Sequence, residues 1–453
     1  MKEFETPITQ LFRFGLRTDK LNSLNNPGCV TCMNLKPSEF RMEGQKSLID
    51  PFPRPLVKID ENLPQLFKGR KDTYLCARHY IYKVMPDYSL VPLTTWFYSA
   101  EHWSFADFGP YVVFNNGNLN IRVDISSGDY YFAPEDEIPN CKVLCNFRGQ
   151  LFIANTDKGP NWVEWSKIGV QDFSLDGENT AGYIPMPWQG QVYALRILTT
   201  SKNSLGMDQQ TMLVYGDQGI TSLYPVSSPA STYGMELLTY YGIAGKGAVG
   251  GDENVHLFVD ERGYLRRITA KGIERLGYQE FFEPMLGENI TISYDQNRGD
   301  FYIAGDTNCY VFSDNQLYEI SQLVRTGVFT DGAFVCVKQE NLSNDRLFVS
   351  NSFDLNIRTI KTITEVLLGS SGNAEVALYW RNNKQDEFRL SSYKRVGPSG
   401  RVSPHVSGVE FRLVIRSSDP DIQLDSGYIR WKLTDKRAIR GMYGLAKASA
   451  ESD

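Results

Sequence analysis

The feature that most constrains this chain is a recurrence of short apolar runs, each read as strand, polar turn, strand. They begin at Tyr111 (YVVFNNGNLNIRVDI), Leu151 (LFIANTDKG), Met212 (MLVYGDQGITSLY), Leu257 (LFVDERGYLRRIT), Phe301 (FYIAGDTNCYVFS) and Leu347 (LFVSNSFDLNIRTI). Successive starts lie 40, 61, 45, 44 and 46 residues apart. A strand-built unit repeating every ~40–50 residues is the signature of a β-propeller, with four strands per blade. A β-sandwich also supplies many short strands, but at closer spacing and without the longer period. The 61-residue interval would hold an insertion, near Pro185-Met186-Pro187-Trp188 or in the polar stretch from Ser201. An earlier unit from His79 (HYIYKVMPDYSLVPL) reads as another blade. Asn116-Gly117, Gly219 and Gly263 supply candidate positive-φ turn positions.

Composition agrees with a β-rich body. Aromatics reach 13%, with 25 Tyr, 25 Phe and 38 Gly. Helical periodicity is scarce; Gln279 to Leu286 is the better candidate, and Pro284 weakens it. Charged residues make up 22% and no apolar run is long enough to span a bilayer. The opening MKEFETPITQLFRFG has no apolar core, so no secretory signal is expected. Seven cysteines, an odd number in a long chain, suggest a reducing compartment rather than a disulfide scaffold.

The expected class is all-β in four parts. Residues 1–75, rich in Asn, Pro and Lys, read as an extended N-terminal arm, with Pro51, Pro53 and Pro55 favouring extended backbone. Residues 76–355 read as the β-propeller. Residues 356–435 read as a C-terminal β-sandwich-like domain of about five strands. Residues 436–453 read as a basic, then small and polar tail that orders only against a neighbour.

Charge is unevenly spread. Residues 101–380 carry 19 Lys and Arg against 34 Asp and Glu, whereas residues 381–447 carry 14 against 7. A nucleic-acid gripper concentrates positive charge. An acidic middle instead suits a surface that DNA passes without sticking, since phosphates find no cations there. Ordinary solvated acidic loops are the alternative.

Several constellations have residue types that bear on chemistry. Cys29-x-x-Cys32 and Cys76-x-x-His79 have the spacing of zinc ligand pairs, and two pairs would complete a site; the alternative is small buried hydrophobes and a surface histidine. Gly245-x-Gly247-x-x-Gly250 matches a dinucleotide fingerprint in letters, but VHLFVD follows it as a strand where the motif needs a helix. Neither G-x-S-x-G nor H-E-x-x-H occurs. The four histidines, His79, His102, His256 and His405, read as strand or turn residues. The pairs around Glu135-Asp136-Glu137, Asp252-Glu253 and Asp260-Glu261 fall at turns, not as two carboxyls facing across a sugar. Asp419-Pro420-Asp421 with Asp425 lacks the loop of an EF-hand and reads as a turn. Trp162 and Trp165 either stack on sugars or fill the space between blades, and packing is the preferred reading. No catalytic, metal or cofactor site is therefore expected.

The stretch NWVEWSKIGVQD from Asn161, followed by LVYGDQGITSLYPV, resembles the β-propeller of tail nozzle proteins in short-tailed bacteriophages. The run PGCVTCMNLKPSEFRMEGQKSLIDPFP resembles the extended opening of the same group. VSGVEFRLVIRSSDPDIQLDSGYIRWKLTDKRAIRG resembles its closing β domain. The likeness spans most of the chain and is better to the shorter, hub-type members that retain packaged DNA. It implies a non-enzymatic virion part assembled in the host cytoplasm. Six copies would form a ring below the portal and its adaptor, continuing the channel for double-stranded DNA and meeting tail fibre or needle proteins. The arm and the tail would then lie against neighbouring chains. The competing expectation is a β-propeller glycan hydrolase or glycan-binding protein using Trp162, Trp165 and loop carboxylates.

Overall fold

The computed structural model describes residues 3–17, 27–52, 64–94, 102–176, 180–202, 208–228, 231–340 and 345–434. The chain divides into two compact units. The first comprises Met1–Ser47, Tyr310–Ser321 and Glu340–Asp453; the second comprises Leu48–Cys309 and Gln322–Gln339.

The second unit is a β-propeller with five four-stranded antiparallel blades. Blade one runs Gln65–Lys68, Thr73–Cys76, Ile81–Val84, Leu90–Pro92. Blade two runs Ser104–Phe108, Tyr111–Asn115, Asn120–Asp124, Tyr130–Phe132. Blade three runs Val143–Phe147, Gln150–Thr156, Gly159–Trp165, Gly182–Pro185. Blade four runs Val192–Lys202, Asp208–Gly216, Ile220–Ser228, Ser231–Thr239. Blade five runs Val249–Gly251, Val255–Val259, Leu265–Thr269, Gly272–Gly277. In each, sequence order is spatial order.

The first strands form the inner ring. Val143–Phe147 packs against both Ser104–Phe108 and Val192–Lys202. The circuit is completed by Thr291–Asp295, beside Val249–Gly251, and by Gln322–Thr330, which lies between Thr291–Asp295 and blade one. Thr326 Oγ1 accepts from the Leu66 backbone N–H at 2.9 Å, and Thr330 Oγ1 accepts from Lys68 Nζ at 3.0 Å. Ile49 bridges Val335 in parallel, and the Cys336 N–H donates to the Ile49 carbonyl at 3.1 Å. The segment before blade one thus adds to the last strand pair of the unit, closing the circuit by hydrogen bonds between distant parts of the chain.

Alternating strands explain why the blades stack. Each sheet is apolar on both faces near the inner ring and must bury them against its neighbours. Blades three and four share Phe152, Val163, Trp165, Trp188, Val214 and Tyr233. The Tyr233 ring stands edge-on to both Phe152 and Trp165, at 5.1 Å in each case. Blades four and five share Tyr215, Ile220, Val249 and Phe258. Between blades three and four the Trp188 indole donates to Thr221 Oγ1 at 2.9 Å. It lies so close over Gly219 that a Cβ there would stand 2.2 Å from Cδ1. Gly219 is absent from the positive-φ residues, so the expected turn role is corrected: bulk, not torsion, demands glycine. Gly117, at φ 93°, does serve its turn.

The sequence repeat and the blades share one phase. Tyr111, Leu151, Met212 and Leu257 all fall on second strands of blades, and Phe301 falls on the strand paired with Thr291–Asp295. The long interval holds the 166–181 connection and the long hairpin of blade four. Leu347 is different: Arg346–Ser350 pairs with Cys29–Met33 and Glu410–Ser417 in the first unit. Gln279–Phe282 is a single helical turn followed by a 3-10 turn, Glu283–Met285, that contains Pro284.

The first unit holds two sets of paired strands. One contains Leu35–Pro37, Met42–Gly44, Gln423–Leu433 and Lys361–Ser371, with Glu3–Pro7 paired to Gln423–Leu433. The other includes Cys29–Met33, Arg346–Ser350, Glu410–Ser417 and Glu375–Arg381. Phe12 meets Phe348 at 5.5 Å and Phe353 meets Phe411 at 6.1 Å. Phe4 stacks on Trp431 at 4.6 Å. The stretch read as an arm, 1–75, is therefore divided. Glu3–Pro7 and Cys29–Met33 are strands of this β domain, and Gln65–Lys68 opens blade one. The partners of Glu3–Pro7 and Cys29–Met33 lie hundreds of residues away, where local pattern cannot reach. Pro53, Pro55 and the basic tail 436–453 lie outside the described residues.

Candidate functional site

The inner ring gathers one polar side chain from each blade: Gln65, His102, Cys145, Arg196 and Lys246. His102 and Lys246 sit just before the first strands of blades two and five; the other three lie within first strands.

The arrangement around His102 is determined by its neighbours. Gln65 Oε1 accepts from the Trp103 backbone N–H at 2.7 Å, which fixes the amide so that Nε2 faces His102 Nδ1 at 3.2 Å. An amide nitrogen can only donate, so Nδ1 accepts and the ring proton resides on Nε2. Burial, then Lys246 and Arg196, push the His102 pKa down to about 3, so the imidazole is neutral at pH 7.

Arg196 is exposed to solvent. Surrounding protein nevertheless lowers its pKa by desolvation, against the opposing pull of Cys145 and Tyr215. No carboxylate acts on Arg196 among the described residues. Burial raises the Cys145 thiol to about 11, with Arg196 pulling the other way. Deeper, Tyr215 Oη and His256 Nδ1 lie 2.8 Å apart. Burial, then Arg196, push His256 down to about 3.

The residues singled out from sequence are placed elsewhere. Cys29, Cys32 and Cys76 are buried free thiols, and burial raises Cys29 and Cys76 well above the usual thiol range. Cys32 Sγ donates to the Leu35 carbonyl at 3.2 Å. His79 sits in the Ala77–Tyr80 turn of blade one. Among the described residues no group of three or more His, Cys, Asp or Glu is placed to hold a metal ion. The glycines of 245–250 let backbone approach backbone: a Cβ on Gly247 would meet the Ile290 carbonyl at 2.7 Å, and one on Gly250 the Ile292 carbonyl at 2.4 Å. A strand, Val255–Val259, follows them.

Trp165 is core, with Nε1 donating to the Thr180 carbonyl at 3.0 Å. Trp162 is half-buried beside Tyr183, ring centroids 5.5 Å apart. The two tryptophans therefore do not share one exposed platform. The turn carboxylates serve local structure. Asp252 Oδ1 accepts from the Asn254 N–H at 2.8 Å, Asp260 holds Arg266 at 2.5 Å, and Glu137 holds Arg122 at 2.5 Å. Asp419 Oδ1 accepts from the Asp421 N–H at 3.0 Å.

Two other charged places are self-satisfied. In the first unit a polar groove of about 380 Å³ is lined by Asp345, Glu375, Arg395 and Arg416, and Arg416 Nε reaches Glu375 at 2.7 Å. Lys361 is fully buried with Nζ donating to the Ile357, Thr359 and Val409 carbonyls at 2.6, 3.1 and 2.8 Å. Burial lowers its pKa to about 8, opposed by Asp354 and Glu410.

Sequence reading missed Arg196. In VYALRIL it looks like any outward polar residue of an alternating strand. Only the blade order shows that this strand is innermost.

No family model matches the chain, and no curated protein matches it. Solved structures similar to it include the extracellular domain of a proposed one-component system from B. thetaiotaomicron, at 12% identity and TM-score 0.42, covering 78% of this chain and 46% of that one. The WD40 domain of Neurospora crassa Pan2 is 7% identical with TM-score 0.39, covering 64% and 92%. PorZ, a surface component of the type-IX secretion system of Porphyromonas gingivalis, is 9% identical with TM-score 0.37, covering 76% and 52%. The chain thus spans about half the length of the first and third of these. At such TM-scores they carry no argument about function. No helix among the described residues is long and apolar enough to cross a membrane. What the blade order establishes is the fold: among the described residues this chain is an all-β protein built on a β-propeller with five four-stranded blades.

Proposed function

We propose that the chain is a non-enzymatic ring subunit of the tail nozzle or hub of a short-tailed bacteriophage. In this reading identical copies, six by resemblance, continue the DNA exit channel below the portal and adaptor and retain packaged DNA until ejection. The observation that carries the reading is the partition of charge between the units. The propeller unit holds 23 Lys and Arg against 32 Asp and Glu, whereas the other unit holds 24 against 21. An acidic body denies DNA the counterion-releasing contacts that make it stick, while a near-neutral to basic β domain is free to dock on other proteins. Among the described residues the turn carboxylates are committed to backbone N–H groups and arginines, an arrangement unlike the facing pair that glycoside hydrolysis uses. Trp165, buried between blades, takes away half of the aromatic platform on which the glycan alternative relies.

Head-to-tail contacts of identical subunits must close to give a ring. The test is the assembly state of the full chain, alone and with portal and adaptor, by native mass spectrometry. A closed ring without turnover of oligosaccharides supports the proposal. A monomer that stays monomeric with portal and adaptor present, or that cleaves glycans, overturns it.

A further inference from the structure

The Arg416–Glu375 pair in the polar groove belongs to a larger face of the first unit. Glu410–Ser417 pairs with Glu375–Arg381, setting Arg412 opposite Tyr379, Arg416 opposite Glu375 and Glu410 opposite Arg381. Residues directly opposed across a ladder share one side of the sheet. Arg395 joins that side opposite Glu375, and the exposed Leu390 joins it opposite Tyr379. Four arginines therefore share one face. Three are held over rings: Arg381 and Arg412 each 4.4 Å from the Phe388 centroid, and Arg416 3.7 Å from that of Tyr393. Glu410 takes Arg381 and Glu375 takes Arg416. Arg395 is exposed and donates to the Asn373 amide oxygen at 2.8 Å, a neutral partner. Residues 375–418 together hold eight Lys and Arg against four Asp and Glu.

The composition of this face favours a protein partner over a nucleic acid. Arginine and aromatic residues are enriched at protein interfaces and lysine is depleted; the four cations here are all arginine. Phe388 and Tyr393 already carry guanidinium groups, so they are not open platforms for bases. An arginine held over a ring has also given up rotamer freedom before docking, which lowers the cost of binding.

The same chain carries a surface of the opposite sign. Tyr130–Phe132 is the last strand of blade two and forms its outer edge, where Tyr131 and Phe132 are exposed. Exposed Glu135 and Asp136 follow directly. Asn140 Nδ2 donates to Glu135 Oε1 at 2.7 Å and to Asp157 Oδ2 at 3.1 Å, so one neutral amide gathers two carboxylates. Arg122, opposite Tyr131, pairs with Glu137, and Lys158, next to Asp157, pairs with Glu164.

We propose that the arginine face of the first unit docks on the acidic, aromatic outer edge of blade two of a second copy of this chain. The contact is head-to-tail, joining two different surfaces, as a closed ring of identical subunits requires. It rests on the ring-subunit reading for the presence of a neighbouring copy, and adds which surfaces meet.

The experiment is a charge swap in the full chain, read by sedimentation velocity, alone and with portal and adaptor. Arg395→Glu reverses the face and Glu135→Lys reverses the edge; both positions are exposed. Each variant alone should associate about tenfold or more weakly than wild type, and an equimolar mixture should regain association. In the mixture each junction can join two native surfaces or two reversed ones. Wild-type association should also weaken as salt rises from about 50 to 500 mM. Melting temperatures are compared throughout; should Arg395→Glu fail to fold, Glu135→Lys carries the test alone. Folded variants that assemble like wild type overturn this contact and leave the ring-subunit reading standing. Wild type that stays a single chain under every condition overturns both. A mixture that regains nothing overturns the pairing of these two surfaces. Double-stranded DNA binding that is lost in Arg395→Glu while assembly is unchanged assigns the face to nucleic acid and overturns the proposal.

Discussion

His256 makes acid a specific stress on the junction between blades four and five. Its ring is 2% exposed and packed beside Tyr215, and burial with the nearby Arg196 brings its pKa from 6.5 to about 3. The sign follows from linkage. A depressed folded-state pKa means that the unfolded chain binds a proton more readily, so stability is fully present above about pH 6.5 and is lost as pH falls towards about 3. At pH 5 the unfolded histidine is almost wholly protonated and the folded one is not. The difference is worth about 2 kcal/mol at that pH, and near 5 kcal/mol at the bottom of the window. Urea midpoints of wild type and His256→Gln at pH 7 and pH 5 isolate this contribution, because all other titrating groups are common to both. Gln can still accept from the Tyr215 hydroxyl but carries no titration. The wild type should lose about 2 kcal/mol more than the variant between the two pH values. Parallel losses in the two proteins would refute the reasoning.

Three further outcomes follow from packing. Gly219→Ala drives a methyl into the Trp188 ring and should cost roughly 1–3 kcal/mol in urea unfolding; pairing it with Trp188→Leu should give a double-variant cost smaller than the sum of the singles. Lys361→Met leaves three buried carbonyls without their donor and should destabilise the protein by about 3 kcal/mol, read from the thermal midpoint and urea curve. Seven free cysteines, six of them buried, should react with a thiol reagent slowly in the native protein and completely in denaturant; several fast-reacting thiols in the native state would contradict the burial described.

The propeller was legible in the sequence because each blade repeats the same local event. A hairpin of apolar alternation around Tyr111, Leu151, Met212, Leu257 and Phe301 is a short-range signal, and its period survives without any alignment. The same signal misled at Leu347. A strand in a blade and a strand in the other β domain alternate identically, and only the partners differ: Arg346–Ser350 pairs with Cys29–Met33. The N-terminal stretch looked like an arm for a related reason. Glu3–Pro7 is five residues long and gains its hydrogen bonds from a strand more than 400 residues onward. The inner-ring cluster was not legible at all. His102 and Arg196 are 94 residues apart in sequence, and what joins them is the circular order of the blades. Trp165 was read correctly as packing, because NWVEWS sets one tryptophan on each side of the pleat and the sheet can bury only what faces its neighbour.

The assembly state of the purified full chain tests the central claim most directly. Native mass spectrometry with electron microscopy of the same sample should show copies of the chain closed into a ring about an open channel, with six subunits. A single-chain mass at every concentration tried, in the presence of portal and adaptor as well as without them, would contradict it.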